Sequence, residues 1–327
     1  MRVPTLLAFI LVGLIPSLPT PSIADDGTRP PILRPAHRGP MALHAPMTEI
    51  ARAARRLVAV GDYGIVLLSD DDGKSWRQAR DVPADSMLTS VVFTGPEQGW
   101  AVGHGGLILS TVNGGESWKP AYRASADTVL MSVAFDKAGR GLAVGAYGTA
   151  LRTTNGGVDW QPVVPGRGED ADRHLNHVVV TPSGAFVVAA ETGALFRSED
   201  GGSSWSVITL PIKGSLWSVL VLADRSLLAT AMGGRLFHST DDGRSWTALA
   251  SPTTQALGGA AQLEDGRVVV VGLAGTVLTS GPAGLEFSAA TRPDRLAISS
   301  VLTVGANAVL LAGNSGITRM EVNRPQP

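Results

Sequence analysis

The chain has 327 residues with 27 Lys and Arg against 28 Asp and Glu, a balance that excludes steering toward nucleic acid or an acidic membrane surface by net charge. With 44% hydrophobic and 17% charged residues it is too apolar for a disordered chain, and 39 Gly and 21 Pro are too many breakers for a long-helix protein. The absence of Cys excludes a disulfide framework, thiol catalysis, zinc–thiolate sites and iron–sulfur clusters together.

In chain order the first element is a leader. Arg2 precedes an apolar run from Leu6 to Leu14, and Ser22 and Ala24 are the small residues that suit cleavage before Asp25. The run is too short to span a bilayer, no later run is long enough, and no Cys follows to carry a lipid. A signal peptide is therefore expected over 1–24, and an exported, periplasmic protein without a membrane span after it.

The rest of the chain is a repeat. A four-residue turn recurs as GDYG (61–64), GHGG (103–106), GAYG (145–148), AETG (190–193), AMGG (231–234), GLAG (272–275) and GNSG (313–316), with its last Gly every 41, 42 or 45 residues. A short apolar strand leads into each turn and a second leads out. A third opens with Leu or Ile at 88, 130, 175, 216, 257 and 298, each 15 residues before a turn begins. Strands in units of about 42 residues describe four-stranded blades, and seven units predict an all-β, seven-bladed β-propeller over 46–323 with a tail at 324–327. The last unit lacks an outer strand. The segment 25–45, in particular Ile32 to His44, is expected to supply it and close blade seven, with Pro31, Pro35 and Pro40 tolerated on an outermost strand.

Between the third and fourth strands lies S-x-D-x-G-x-[ST]-W, complete in blade one as Ser69, Asp71, Gly73, Ser75 and Trp76. It continues with Asn113 and Trp118, Asn155 and Trp160, Asp200 and Trp205, and Asp241 and Trp246, and decays in unit six to Ser280, Gly284 and Phe287. This is the Asp-box, or BNR repeat. Its Asp or Asn is expected to accept backbone N–H groups, its Gly to turn left-handed and its ring to pack between sheets. A calcium loop would need more converging oxygens than one side chain per box provides.

The strings LVAVGDYGIVLLSDDDGKSW, GWAVGHGGLILSTVNGGESW and LAVGAYGTALRTTNGG resemble the photosystem II assembly and stability factor family, in particular its proteobacterial relatives, over nearly the whole mature chain. The resemblance implies a non-enzymatic scaffold, without cofactor or metal, that binds a protein partner in the assembly or stabilisation of a membrane complex. It implies a monomer, and a thylakoid-lumen location where the host is photosynthetic. Photosynthetic members use an arginine-rich surface patch, for which Arg123, Arg167 and Arg173 are the candidates here.

The rival class is an Asp-box glycoside hydrolase of the sialidase type, which needs a Tyr nucleophile, an activating carboxylate and an arginine clamp. Tyr63 and Tyr147 occupy turns, whereas Arg55, Arg56, Arg140, Arg225 and Arg267 lie in the first hairpins at the opposite end, so no clamp forms. Inner strands such as SVVF, SVAF and HVVV carry no charge. His104, His174 and His177 lack a metal-ligand spacing. Arg152, Arg197 and His238 share one register of the third strand and are read as an outward-facing row. The turns and blade-to-blade crossovers share one end of the ring, which makes Tyr63, His104, Arg123, Tyr147, Arg167, Arg173, Asn176, Glu191 and Trp217 the candidate partner-binding residues, with no catalytic residue assigned.

Overall fold

The computed structural model describes residues 33–281 and 284–322; residues 1–32, with the leader expected over 1–24, residues 282–283 and residues 323–327 lie outside the described residues. Among the described residues seven antiparallel sheets are present, six of four strands and one of three. Their inner strands are Met47–Ala53, Leu88–Phe93, Leu130–Phe135, Leu175–Val180, Leu216–Val221, Leu257–Gln262 and Ile298–Thr303. Each inner strand lies beside the next, and the circle is completed where Ile298–Thr303 meets Met47–Ala53. Arg52 Nη2 donates to the Thr303 carbonyl across that junction at 2.9 Å. The second strands are buried on both faces, as Leu57 to Val60 and Val268 to Val271 are, which is why they read as unbroken apolar runs rather than alternating ones.

The four-residue turns owe their glycines to backbone geometry. The last Gly of all seven is left-handed, from Gly106 at φ 59° to Gly316 at φ 76°. A Cβ at Gly64 would sit 1.7 Å from the Ala84 carbonyl oxygen, so the turn has no space for a side chain there. The second residue of each turn donates its N–H to the carbonyl just before the inner strand, as Asp62 does to Pro46 and His104 to Met87. This pins the turn over the start of the inner strand. The register of all seven inner strands slips at that point by one residue, which places Thr48, Thr89, Met131, Asn176, Trp217, Gly258 and Ser299 in bulges around the mouth of the central channel.

Closure differs from the expectation in one respect. The ring closes on an N-terminal strand, but that strand is Met47–Ala53; residues 33–45 add none to blade seven, which has three strands among the described residues. Residues 33–39 run instead along blade one, with Ala36 N–H donating to Val82 O at 2.9 Å and His37 N–H to Tyr63 O at 3.0 Å, and Leu33 and Ala36 pack with Trp118. Pro40–His44 then forms a single 3₁₀ turn whose Ala42 packs near Ile317 of blade seven. Proline explains the difference. Pro35 and Pro40 remove donors that a ladder would use, and Pro40 starts a helical turn.

Candidate functional site

The box end of the ring is built to hold itself together. Asp71 Oδ1 accepts the Ser75 N–H at 2.9 Å, its Oδ2 accepts the Ser75 hydroxyl at 2.6 Å, and Gly73 N–H donates to Ser69 Oγ at 2.9 Å. In the Asn boxes the same atoms serve, with Asn113 Oδ1 accepting Ser117 N–H at 3.1 Å and Asn155 Oδ1 accepting Asp159 N–H at 3.0 Å. The Ser75 hydroxyl and amide, with Ser69, hold the Asp71 carboxyl down to about 2. At Asp241 burial opposes ionisation, but Ser245 and Ser239 outweigh it and the carboxyl also falls to about 2. Carboxylates spent in this way on their own turn are poor proton donors at neutral pH. Each box ring enters the preceding blade: Trp118 lies among Val58, Val60 and Leu68, and Trp160 among Trp100, Val102 and Ile108.

Of the row expected to face outward at this end, Arg152 and His238 are half-buried and Arg197 does not face outward. Arg197 is 4% exposed. It donates from Nε to Asp242 O at 3.0 Å and from Nη2 to Asp242 Oδ2 at 2.7 Å, and it pairs with Glu199. This clamps blade four to the box of blade five. His238 Nε2 is 2.9 Å from Ser226 Oγ within its own blade. Arg56 bridges Asp70 at 2.6 Å and Glu116 at 3.0 Å, joining blades one and two. The long side chains reach across because neighbouring blades nearly touch here, which sequence register alone does not reveal.

The turn end carries the exposed aromatic groups. Tyr147 is 74% exposed, Tyr63 59% and Trp217 39%. Both tyrosines have left-handed backbones, φ 52° and 58°. The Tyr147 ring meets His174 edge-on at 4.7 Å, and Tyr63 lies 6.2 Å from His37 of the N-terminal segment. Met232 and Leu273, in the turns of blades five and six, are also exposed. His104 and Arg167 are exposed, and Glu191 is half-buried. Arg173 is tied to Asp170 at 2.6 Å on its own crossover. Arg123 ends the outer strand of blade two, a blade away from the other two arginines. Asn176 donates to the Leu216 carbonyl at 2.8 Å and forms part of the ring wall. The nine candidate residues thus share an end of the ring without converging on one point.

Between the two ends runs a channel of about 430 Å³. At its mouth Thr48 Oγ1 donates to Leu88 O and Thr89 Oγ1 to Leu130 O, both at 2.7 Å, so each clips its blade to the next. One residue deeper, Glu49 Oε2 accepts Val91 N–H at 2.7 Å, Ser132 Oγ accepts Val178 N–H at 3.1 Å, and His177 Nδ1 accepts Val219 N–H at 3.3 Å. Burial pushes the Glu49 carboxyl above its ordinary range, against the hydrogen bonds from Ser90 and Val91. Burial also pushes His177 down to about 4, so it stays neutral and accepts at Nδ1. The apolar reading of the inner strands therefore missed Glu49 and the part His177 plays. The available signal was the residue two past each strand opening: Glu49, Ser90, Ser132, His177, Ser218, Gly259 and Ser300 make a ring of polar or small groups. At blade six Gly258 leaves a gap beside Trp217, where Ala256, Leu273, Ala297 and Ile298 enclose an apolar recess of about 300 Å³.

Comparison with solved structures gives the same ring. A structure described as YCF48 bound to D1 peptide is 22% identical, with a TM-score of 0.69 over 86% of this chain and 94% of that one. YCF48 from Cyanidioschyzon merolae is 15% identical, with a TM-score of 0.67 over 88% of this chain and 98% of that one. A catalytically inactive virginiamycin B lyase from Staphylococcus aureus with quinupristin is 10% identical, with a TM-score of 0.74 over 89% of this chain and 99% of that one. At such identities the likeness is one of fold. No curated protein matches the chain. The family model for photosynthesis system II assembly factor YCF48 matches residues 115–286, more than half of the sequence, and the chain belongs to that family.

Proposed function

We propose that the protein is a non-catalytic scaffold that captures a protein partner on the turn end of its ring, in the assembly or stabilisation of a membrane complex outside the cytoplasm. The observation that carries this reading is the exposure of Tyr63, Tyr147, Trp217, Met232 and Leu273 at one end, while at the other end Arg56 with Glu116 and Arg197 with Asp242 are spent on blade-to-blade pairs. Aromatic side chains that stand free of their own fold are the groups that anchor interfaces. The fold relative described with a D1 peptide supports a polypeptide as the class of ligand. The leader expected over 1–24 is the ground for placing the protein in the periplasm.

The test is capture of the partner from envelope extract by the mature protein, with folded Tyr147→Ala, Trp217→Ala and Arg167→Glu variants beside the box-end variant Lys74→Glu. Loss in the first set alone is expected. Loss in Lys74→Glu alone would reverse the faces. Turnover of a chromogenic glycoside that disappears in Tyr63→Phe or Glu191→Gln would replace the scaffold with a hydrolase.

A further inference from the structure

Among the described residues blade seven differs from the other six by having no fourth strand. In blades one to six the third strand is followed by a box and a fourth strand, and the box aromatic enters the preceding sheet, as Trp76 does beside Leu310 and Phe287 beside Leu228 and Leu236. In blade seven the third strand, Gly316–Glu321, is paired among the described residues on one side only, with Ala308–Gly313. Gly313 and Gly316 close its hairpin, and Val322 N–H donates to Asn307 O at 2.7 Å, which sets the phase of the ladder. Thr318 and Met320 therefore exchange bonds with Ala308–Gly313, and the N–H and C=O groups of Ile317, Arg319 and Glu321 point to the open edge. Beside that edge lies a groove of about 810 Å³ walled by Val277, Phe287 and Ala290 of blade six and by Met320 and Val322 of blade seven.

We infer that this edge and groove dock an extended segment of a partner polypeptide, which adds as the fourth strand of blade seven, antiparallel to Gly316–Glu321, and lays one large aromatic or aliphatic side chain against blade six. The other six blades show the mode of filling: fourth strands of two to five residues suffice, from Arg77–Gln78 to Phe287–Thr291. A second copy of the chain does not fit. The outer strand of blade six underlies the vacant position, so a whole sheet with its own blade six behind it would collide with Phe287–Thr291. The slot admits one strand. Glu286, exposed at the end where an incoming antiparallel strand begins, favours a basic residue just before the anchoring side chain. Arg319 pairs with Glu321 and reaches Asp72 O at 3.3 Å on the side of blade one, leaving the groove side to Met320. Such a charged pair blunts the edge against indiscriminate pairing. The site lies on the rim of the ring and not at its turn end, so either reading can fail without the other.

The probe is a labelled peptide with the sequence of residues 113–123, the end of the box and the outer strand of blade two, carrying Glu116→Lys so that a basic residue precedes Trp118, added to the full chain. Saturable binding is expected, with slowed hydrogen exchange at the amides of Ile317, Arg319 and Glu321. A Trp118→Ala version of the peptide should bind roughly thirty-fold more weakly, as truncation of an anchoring aromatic does. In the protein, Arg319→Pro removes one outward N–H and spares the ladder to Ala308–Gly313, and Met320→Asp puts a carboxylate into the groove; each should abolish binding without lowering the far-ultraviolet signal. Unchanged binding in both variants, protection elsewhere, or amides already protected in the free chain would overturn the proposal, the last by assigning the edge to the chain's own residues.

Discussion

Replacement of Trp118 by Ala tests how the blades hold one another. The ring is 3% exposed and inserts from blade two into blade one. It meets Phe93 edge-on at 6.2 Å and donates its indole N–H to Gly115 O at 3.0 Å. Removing a buried Trp from a core costs about 3–5 kcal/mol, and an edge-to-face aromatic pair adds about 0.5–1.5 kcal/mol beyond its area. The indole hydrogen bond is local to the box, whose backbone bonds to Thr111 and Asn113 remain. A loss of about 4 kcal/mol follows. With about 2.1 cal/mol/K of unfolding entropy per residue, a ring of this size should melt roughly 7 °C lower. Guanidinium unfolding followed by circular dichroism measures the loss, with Val112→Ala, on an exposed side chain, as a control expected within about 0.5 kcal/mol of the parent. A Trp118→Ala loss below about 1 kcal/mol at unchanged m-value would refute the view that the box ring is the wedge between sheets. A lowered m-value would show blade one opening separately.

Gly64→Ala should cost roughly 3 kcal/mol or more, because its Cβ would meet Ala84 O at 1.7 Å, whereas Gly156→Ala, equally left-handed but in open space, should cost only about 1–2 kcal/mol; paired denaturation curves check both. Arg197→Met leaves Asp242 without its clamp and should cost about 3 kcal/mol, part of it recovered in Arg197→Met with Asp242→Asn, as a double-mutant cycle would measure. Stability should fall as pH drops from about 6.5 to about 4, because the unfolded chain takes up a proton that His177 refuses in the fold. This amounts to at most about 3 kcal/mol, since the ring meets channel solvent on one side. Glu49, raised by burial, works in the opposite sense, and His177→Gln should flatten the first limb of a melting-temperature profile while keeping an acceptor for Val219 N–H. A second fall below about pH 4 should follow as Asp71 and Asp241, both held near 2, are protonated, and Asp71→Asn should soften it.

The residues that the sequence makes legible are those whose reason is local. Gly64 and its six counterparts recur because a backbone angle demands them, and Asp71 with Ser69 and Ser75 recurs because a turn is closed by its own side chains. A requirement met within a few residues repeats at the period of the blade, and that period alone determines the propeller, the number of blades and the two kinds of end. The tertiary structure decided what depends on which sheet stands opposite. Glu49 faces the channel because a bulge turns it inward, and Arg197 is buried because the box of blade five lies within its reach. Residues 33–45 run along blade one and pack on blade seven without adding a strand, since two prolines and a glycine-capped 3₁₀ turn withhold the donors that a ladder would use. These are contacts between residues about twenty-five or more apart in the chain, and no local pattern encodes which distant segment stands opposite.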